Sequence, residues 1–264
     1  MKFSHTVIIK GAGDLASGVA HRLHYAGFRQ IMLELPRPLT VRRTVSFSSA
    51  VYEGTIQVEG VRARLCRTLE EAQQVISRRE IAVLIDPESN LVHQLKPEVL
   101  IDAIMAKTAT ATRISDAPVV VGLGPGFEAG REVHAVVETK RGHSLGKVYY
   151  KGTAAKNTGI PGEVSGVSAG RLLRASADGI FKPLTEIGDL VDAGEQVAEV
   201  DGIPVAARIS GLVRGLLYTG LQVKQGMKVG DIDPRGSKVD FRTISDKARA
   251  VGGGVLEAVL HFLP

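Results

Sequence analysis

The chain has 264 residues, 44% of them hydrophobic and 23% charged, which is enough apolar material for one or two packed cores and excludes a disordered chain. No run of eighteen apolar residues exists, so no helical membrane span and no membrane partner is expected. The net charge of +5 reads either as a mildly basic surface or as attraction for an anionic ligand such as a nucleotide. Scattered arginine pairs (Arg42-Arg43 and Arg78-Arg79), no Trp and 5% aromatics argue against nucleic acid.

One cysteine, Cys66, permits no internal disulfide. Met1 to His5 passes directly into Val7-Ile8-Ile9 with no apolar signal core, so a cytoplasmic location is expected. Val7 to Ile9 is a short buried strand that stops at Gly11. Leu15, Val19 and Leu23 then recur at helical spacing up to Gly27. Ile31 to Leu35 is the second strand. Thr55 to Val58 and Val61 to Cys66 pair through a turn at Glu59-Gly60. Thr68 caps a helix running to about Arg79. Strands follow at Ile81 to Ile85, Val99 to Asp102 and Val119 to Val121, with a weak helix from about Asn90 to Lys96. Strands alternating with helices imply a parallel sheet covered on both faces.

Gly11-Ala12-Gly13-Asp14-Leu15-Ala16 fits the G-x-G-x-x-G/A pattern after a strand and at the start of a helix. Gly11 allows the sharp turn, Gly13 lets phosphate approach the backbone, and Ala16 lets the helix pack on the strand. The helix N-terminus offers free N–H groups to an anion. Glu34 lies 21 residues beyond Gly13, at the end of the second strand, where a carboxylate holds a ribose hydroxyl. These residues predict a nucleotide site, NAD(P) being one reading of the ligand. Asp14 opposes phosphate unless it points away. Glu34 disfavours a 2′-phosphate, with Arg37, Arg42 and Arg43 close enough in sequence to offset it.

Asp102 and Lys107 read as an acid–base pair with catalytic duty or as a salt bridge. Gly122, Gly124 and Gly126 form a second glycine-rich loop, either a ligand contact or a turn stiffened by Pro125. His134 and Glu138 share one face of an alternating stretch, too few groups for a metal site, so no metal is expected. Cys66 lies among Arg64 and Arg67, which would activate a thiol; the alternative is an inert one.

The second half repeats the form G-[IL]-[FV]-x6-G-x-x-V-x-x-G-x-x-V. It runs from Gly179 to Val197 and again from Gly211 to Val229, 32 residues later. Two such units should pack on each other. The pattern resembles the lipoyl/biotinyl-carrier fold, but the hairpin Val200 to Val205 has no lysine to modify. A binding or homo-oligomerising module remains. Ser245 caps a last helix, in which Gly252-Gly253-Gly254 marks either a break or a close backbone approach. The expected fold class is therefore α/β. It comprises a Rossmann-like doubly wound parallel sheet over residues 1–165, a smaller mostly-β barrel-sandwich-like domain with the repeat over 166–240, and a C-terminal helical segment over 241–264.

Five stretches, at 11–16, 42–47, 122–127, 136–143 and 157–162, resemble the bacterial accessory family named for the selenium-dependent molybdenum hydroxylase system. The resemblance implies a cytoplasmic factor that matures, or supplies selenium to, molybdenum-containing purine or xanthine hydroxylases. Its partners would be the hydroxylase or its other maturation proteins. It assigns no reaction and no catalytic residues. The alternatives are an NAD(P)-dependent oxidoreductase, with Lys107 or His134 as proton donor, and a non-enzymatic scaffold for hydroxylase assembly.

Overall fold

A computed structural model describes residues 5–106, 110–156, 166 and 169–263. The chain divides into two compact units. One is Met1–Pro38 with Ser46–Thr158 and Ile244–Pro264; the other is Leu39–Val45 with Gly159–Thr243. The last helix thus belongs to the first unit rather than forming a terminal segment of its own.

The first unit contains, in chain order, β1 (Thr6–Lys10), α1 (Asp14–Ala26), β2 (Arg29–Glu34), a one-turn α2 (Ala50–Glu53), β3 (Thr55–Val58), β4 (Val61–Cys66), α3 (Leu69–Ser77), β5 (Ile81–Ile85), α4 (Asn90–Leu95), β6 (Val99–Asp102), β7 (Val119–Leu123), β8 (Glu128–Ala129), β9 (Ala135–Val137), β10 (Val148–Tyr149), β11 (Gly152–Thr153) and finally α5 (Asp246–Phe262). Nine strands form one sheet in the order β10-β9-β7-β6-β1-β2-β5-β4-β3. The seven inner strands run parallel, and β3 and β10 pair antiparallel at the two edges. β8 and β11 make a separate two-stranded ribbon.

This corrects the expected fold class. Neither the Rossmann-like doubly wound parallel sheet nor the barrel-sandwich-like second domain stands. The chain is mixed α/β, with one large, mostly parallel sheet and separate antiparallel sheets. The physical reason lies in the connections. Among the described residues between β6 and β7 there is only a single 3-10 turn, Ile114–Asp116, and no α-helix lies between β7 and β9. The face those crossovers leave open is covered by α5, which comes from the far end of the sequence and packs on α1, β7, β9 and β10.

The core is made by alternation of buried residues on both faces. Ile8, Leu33, Leu84, Leu100, Val120 and Val136 point toward α3 and α4, whose Ala72, Val75 and Val92 meet them. The helix ends follow simple rules. Gly27 closes α1 at φ 97°, and the Thr68 side chain accepts from Glu71 N at the start of α3.

The second unit holds β12 (Leu172–Arg174), β13 (Gly179–Pro183), β14 (Leu190–Val191), β15 (Gln196–Val200), β16 (Ile203–Ala206), β17 (Gly211–Leu216), β18 (Leu221–Val223) and β19 (Lys228–Asp233). They form two four-stranded antiparallel sheets, β12-β19-β17-β14 and β16-β15-β13-β18. The repeat is visible in the pairing, because each copy lends its short middle strand to the other. β14 pairs with β17, and β18 with β13. The segment Leu39–Val45 is tied into this unit. Arg42 Nη2 donates to Thr243 O at 3.2 Å, Thr44 Oγ1 donates to Phe241 O at 3.0 Å, and the Arg43 guanidinium lies 4.4 Å over the Tyr218 ring.

Candidate functional site

β1 is the centre of the sheet and the point where the chain reverses direction across it. From β1 it winds one way to β2 and β5, then returns to lay β6 on the other side. In open α/β sheets ligands bind outside the carboxyl ends of the strands at such a switch point. Here Lys10 ends β1 and its register partner Asp102 ends β6.

Gly11 leaves β1 at φ 89°. A Cβ there would also press to 3.3 Å from Ala103 O, so the turn requires glycine. Gly13 is the N-cap of α1, and no side chain caps the helix. Ala12 is held firmly. Its oxygen accepts from Ser48 N at 2.8 Å and from Ser17 Oγ at 3.1 Å, while Phe47 N donates to Ser17 Oγ at 2.7 Å.

Glu34 reaches this loop as the spacing anticipated, but it does more than face it. Its Oε2 accepts from Ala12 N at 2.8 Å and its Oε1 from Leu35 N at 2.7 Å. Burial pushes the Glu34 carboxyl above the usual range, and the bonds from Leu35 and Ala12 only partly offset it. An internal carboxylate therefore holds the amide that a ligand's phosphate would use. Beside it, Leu35 is 45% exposed and Ile85, the register partner of Glu34, is 46% exposed. The carboxyl ends of β1, β2 and β5 thus carry two exposed apolar side chains, an acid and a glycine-rich loop.

Asp102 is buried, and both oxygens of its carboxylate are hydrogen-bonded. Thr112 Oγ1 donates to Oδ2 at 2.6 Å, Thr110 Oγ1 donates to the same oxygen at 2.9 Å, and Ile104 N donates to Oδ1 at 3.2 Å. Its cation is Lys10, with Nζ 3.5 Å from Oδ2 and 2.6 Å from Thr112 Oγ1. The expected pairing of Asp102 with Lys107 falls on a residue outside the described ones; on the described side the cation at Asp102 is Lys10. A carboxylate held by three donors from the segment that follows it anchors the loop after β6.

The second glycine loop answers a packing need at two of its three positions. A Cβ on Gly122 would stand 2.5 Å from the Phe127 ring, and one on Gly124 would stand 2.6 Å from Thr139 Oγ1. Only Gly126, at φ 113°, opens on free space. Glu138 is buried and accepts from Thr139 N, Lys140 N and Ala155 N at 2.7 to 2.8 Å, so it ties loops together. His134 Nδ1 accepts from Val120 N at 3.0 Å, toward the amino end of β7 and away from the crevice, which removes it as a proton donor there. Burial, helped by the charge of Glu71, pushes the Cys66 thiol up; an activated nucleophile is not what its surroundings make.

Sequence reading missed Lys10, Ser17, Ser48, Thr110, Thr112 and Lys247. Lys247 is the second residue of α5, whose start lies near that of α1. Burial lowers its pKa, Arg141 acts the same way, and Asp14, Glu138 and Asp246 oppose the shift. Pattern alone carries no signal for a lysine brought in from 230 residues away.

No family model matches the chain. It is 50% identical over 268 residues to the uncharacterized protein YqeB of Escherichia coli K12, and it spans about half the length of that relative. Among solved structures, it covers 87% of its own length and 85% of an aspartoacylase family protein from Mesorhizobium loti, at 12% identity and a TM-score of 0.28. For the ectoine utilization protein EutE of Ruegeria pomeroyi the shares are 86% and 84%, at 13% identity and a TM-score of 0.26. Likenesses this weak carry no argument about activity. Among the described residues no helix is long and apolar enough to cross a membrane, and no cluster of three metal-ligating side chains occurs.

Proposed function

We propose that the chain binds a nucleotide at the carboxyl end of β1, with its phosphates on Gly11 to Ala16 and its ribose hydroxyls on Glu34. It would serve in the cytoplasm as an accessory factor for a selenium-dependent molybdenum hydroxylase. The observation that supports the binding is the hydrogen bond from Ala12 N to Glu34 Oε2: the loop amide donates to a carboxyl oxygen, as it would to a phosphate, and Glu34 is within its reach. On binding, phosphate replaces the carboxylate at Ala12, and Glu34 turns to the ribose. Leu35 and Ile85 offer the base an apolar surface. The accessory role is supported by the five resembling stretches, of which 157–162 falls outside the described residues.

The test is calorimetric titration with NAD, NADP, ADP and CTP on the parent and on Gly13→Asp. Aspartate is a good N-cap, so the variant keeps its helix while placing a negative charge where phosphate would lie. At least one nucleotide should bind the parent, and its affinity should fall at least tenfold in the variant. No binding, or equal binding, contradicts the reading. For the accessory role, cells lacking the chain should yield hydroxylase of low activity that the parent gene restores and the Gly13→Asp gene does not.

A further inference from the structure

A groove of about 1010 Å³ lies between α4 and the segment returning from β6 to β7. This is at the upper limit of the usual size of small-molecule sites. Pro97 and Pro118 in its lining precede β6 and β7, so the groove sits toward the amino ends of these strands, whereas the crevice described above lies at their carboxyl ends. Its floor is apolar and buried, made of Val92, Pro97 and Ala117. Its rim carries three exposed basic side chains, His93 and Lys96 from α4 and its end, and Arg113 from the returning segment.

The only acid in the lining, Asp116, has an oxygen engaged 2.8 Å from Arg113 N. Among the described residues no carboxylate pairs with Lys96 or Arg113. Two permanent cations from separate segments thus line one groove with an apolar floor, and neither is ion-paired to the one acid beside them. Lys96 is also held in the left-handed region at φ 44°, at the C-cap of α4, where glycine or asparagine is the usual occupant. The fold accepts backbone strain to keep a lysine at that point, and such strain gathers at ligand sites.

We propose that this groove is a second ligand site, for a small anion whose phosphate or carboxylate group is carried on a short apolar body. Lys96 and Arg113 hold the charged group, and Val92, Pro97 and Ala117 cover the apolar part. The proposal does not depend on the nucleotide reading.

The test is calorimetry on the whole chain with two probes, phenyl phosphate and benzoate, at fixed ionic strength. At least one should bind the parent, and the stronger of the two tells which anion the site prefers. The double variant Lys96→Gly with Arg113→Ala should bind that probe at least tenfold more weakly. Glycine suits the left-handed position and Arg113 is exposed, so this variant should fold; its thermal midpoint checks that. Gly13→Asp should bind the probe as the parent does. If neither probe binds the parent, if the double variant binds equally well, or if Gly13→Asp weakens binding as much, the proposal is overturned.

Discussion

Gly252 of α5 lies against the main-chain oxygen of Gly18 in α1, and a Cβ at position 252 would stand 2.7 Å from that oxygen. Gly18 in turn faces Ala248, where its own Cβ would meet the Ala248 Cβ at 2.7 Å. Gly254 is closed off by Gly146 O, while Gly253 has nothing within 4 Å. The three-glycine run is therefore no break. It lets α5 continue unbroken from Asp246 to Phe262 while lying on two backbones. Gly252→Ala should destabilise, because overpacking costs about 1–3 kcal/mol and the helix-propensity gain returns only about 1 kcal/mol. Gly253→Ala should stabilise by about 0.5–1 kcal/mol through that gain alone. Urea unfolding of the two variants checks the opposite signs.

The Glu34 carboxyl gives stability a pH dependence of definite sign. Its folded pKa is raised, first by burial, so the folded state holds the proton more tightly than the unfolded chain does. The contribution is fully present below the unfolded value of about 4.3. It is lost as the pH rises through the higher folded value. Glu34→Gln removes this slope. The gap in unfolding free energy between parent and variant should therefore move against the parent as pH rises from 4, and parallel curves would contradict it.

Asp102 should be the costliest single residue to remove in the crevice. Asp102→Ala leaves Lys10 buried without its counter-charge, a loss of about 3–5 kcal/mol. Thr112→Val deletes one hydroxyl between them and should cost about 1–3 kcal/mol. Chemical denaturation ranks the two, and an equal or reversed order would contradict the anchor role.

In the second unit, Asp233 is buried between Arg214 and Arg235. Burial alone would raise its pKa, but the side-chain and backbone bonds from Arg235, with the charges of Arg235 and Arg214, outweigh it and leave the carboxyl lowered. Its stabilisation is present above the unfolded value of about 3.9 and disappears as pH falls through the lower folded value. Hydrogen exchange of the β19 amides should thus differ between parent and Asp233→Asn at pH 7, and the difference should narrow in acid.

Local signals were legible in the sequence. The turn at Glu59-Gly60, the Thr68 cap, the Gly27 stop and the spacing from Gly13 to Glu34 all depend on a few adjacent residues or on one strand–helix–strand unit. The repeat was legible because its glycines recur at turns, although only pairing shows that β14 and β18 are exchanged between copies. What could not be read was anything set by distant chain. α5 fills the face left by missing crossovers, Lys10 pairs with Asp102 from the neighbouring strand, and Ser48 fixes the Ala12 carbonyl. The loop at Gly122 read equally as a ligand contact or as a turn, because glycine's need for space is the same whether a phosphate or the Phe127 ring fills it.

The most direct measurement of the nucleotide reading is the Ala12 backbone amide followed by ¹⁵N–¹H NMR during titration with ADP. The account predicts a saturable shift of that resonance together with those of Gly13 and Leu35, as phosphate takes the place of Glu34. A saturated complex in which the Ala12 and Leu35 amides stay where they were would contradict it.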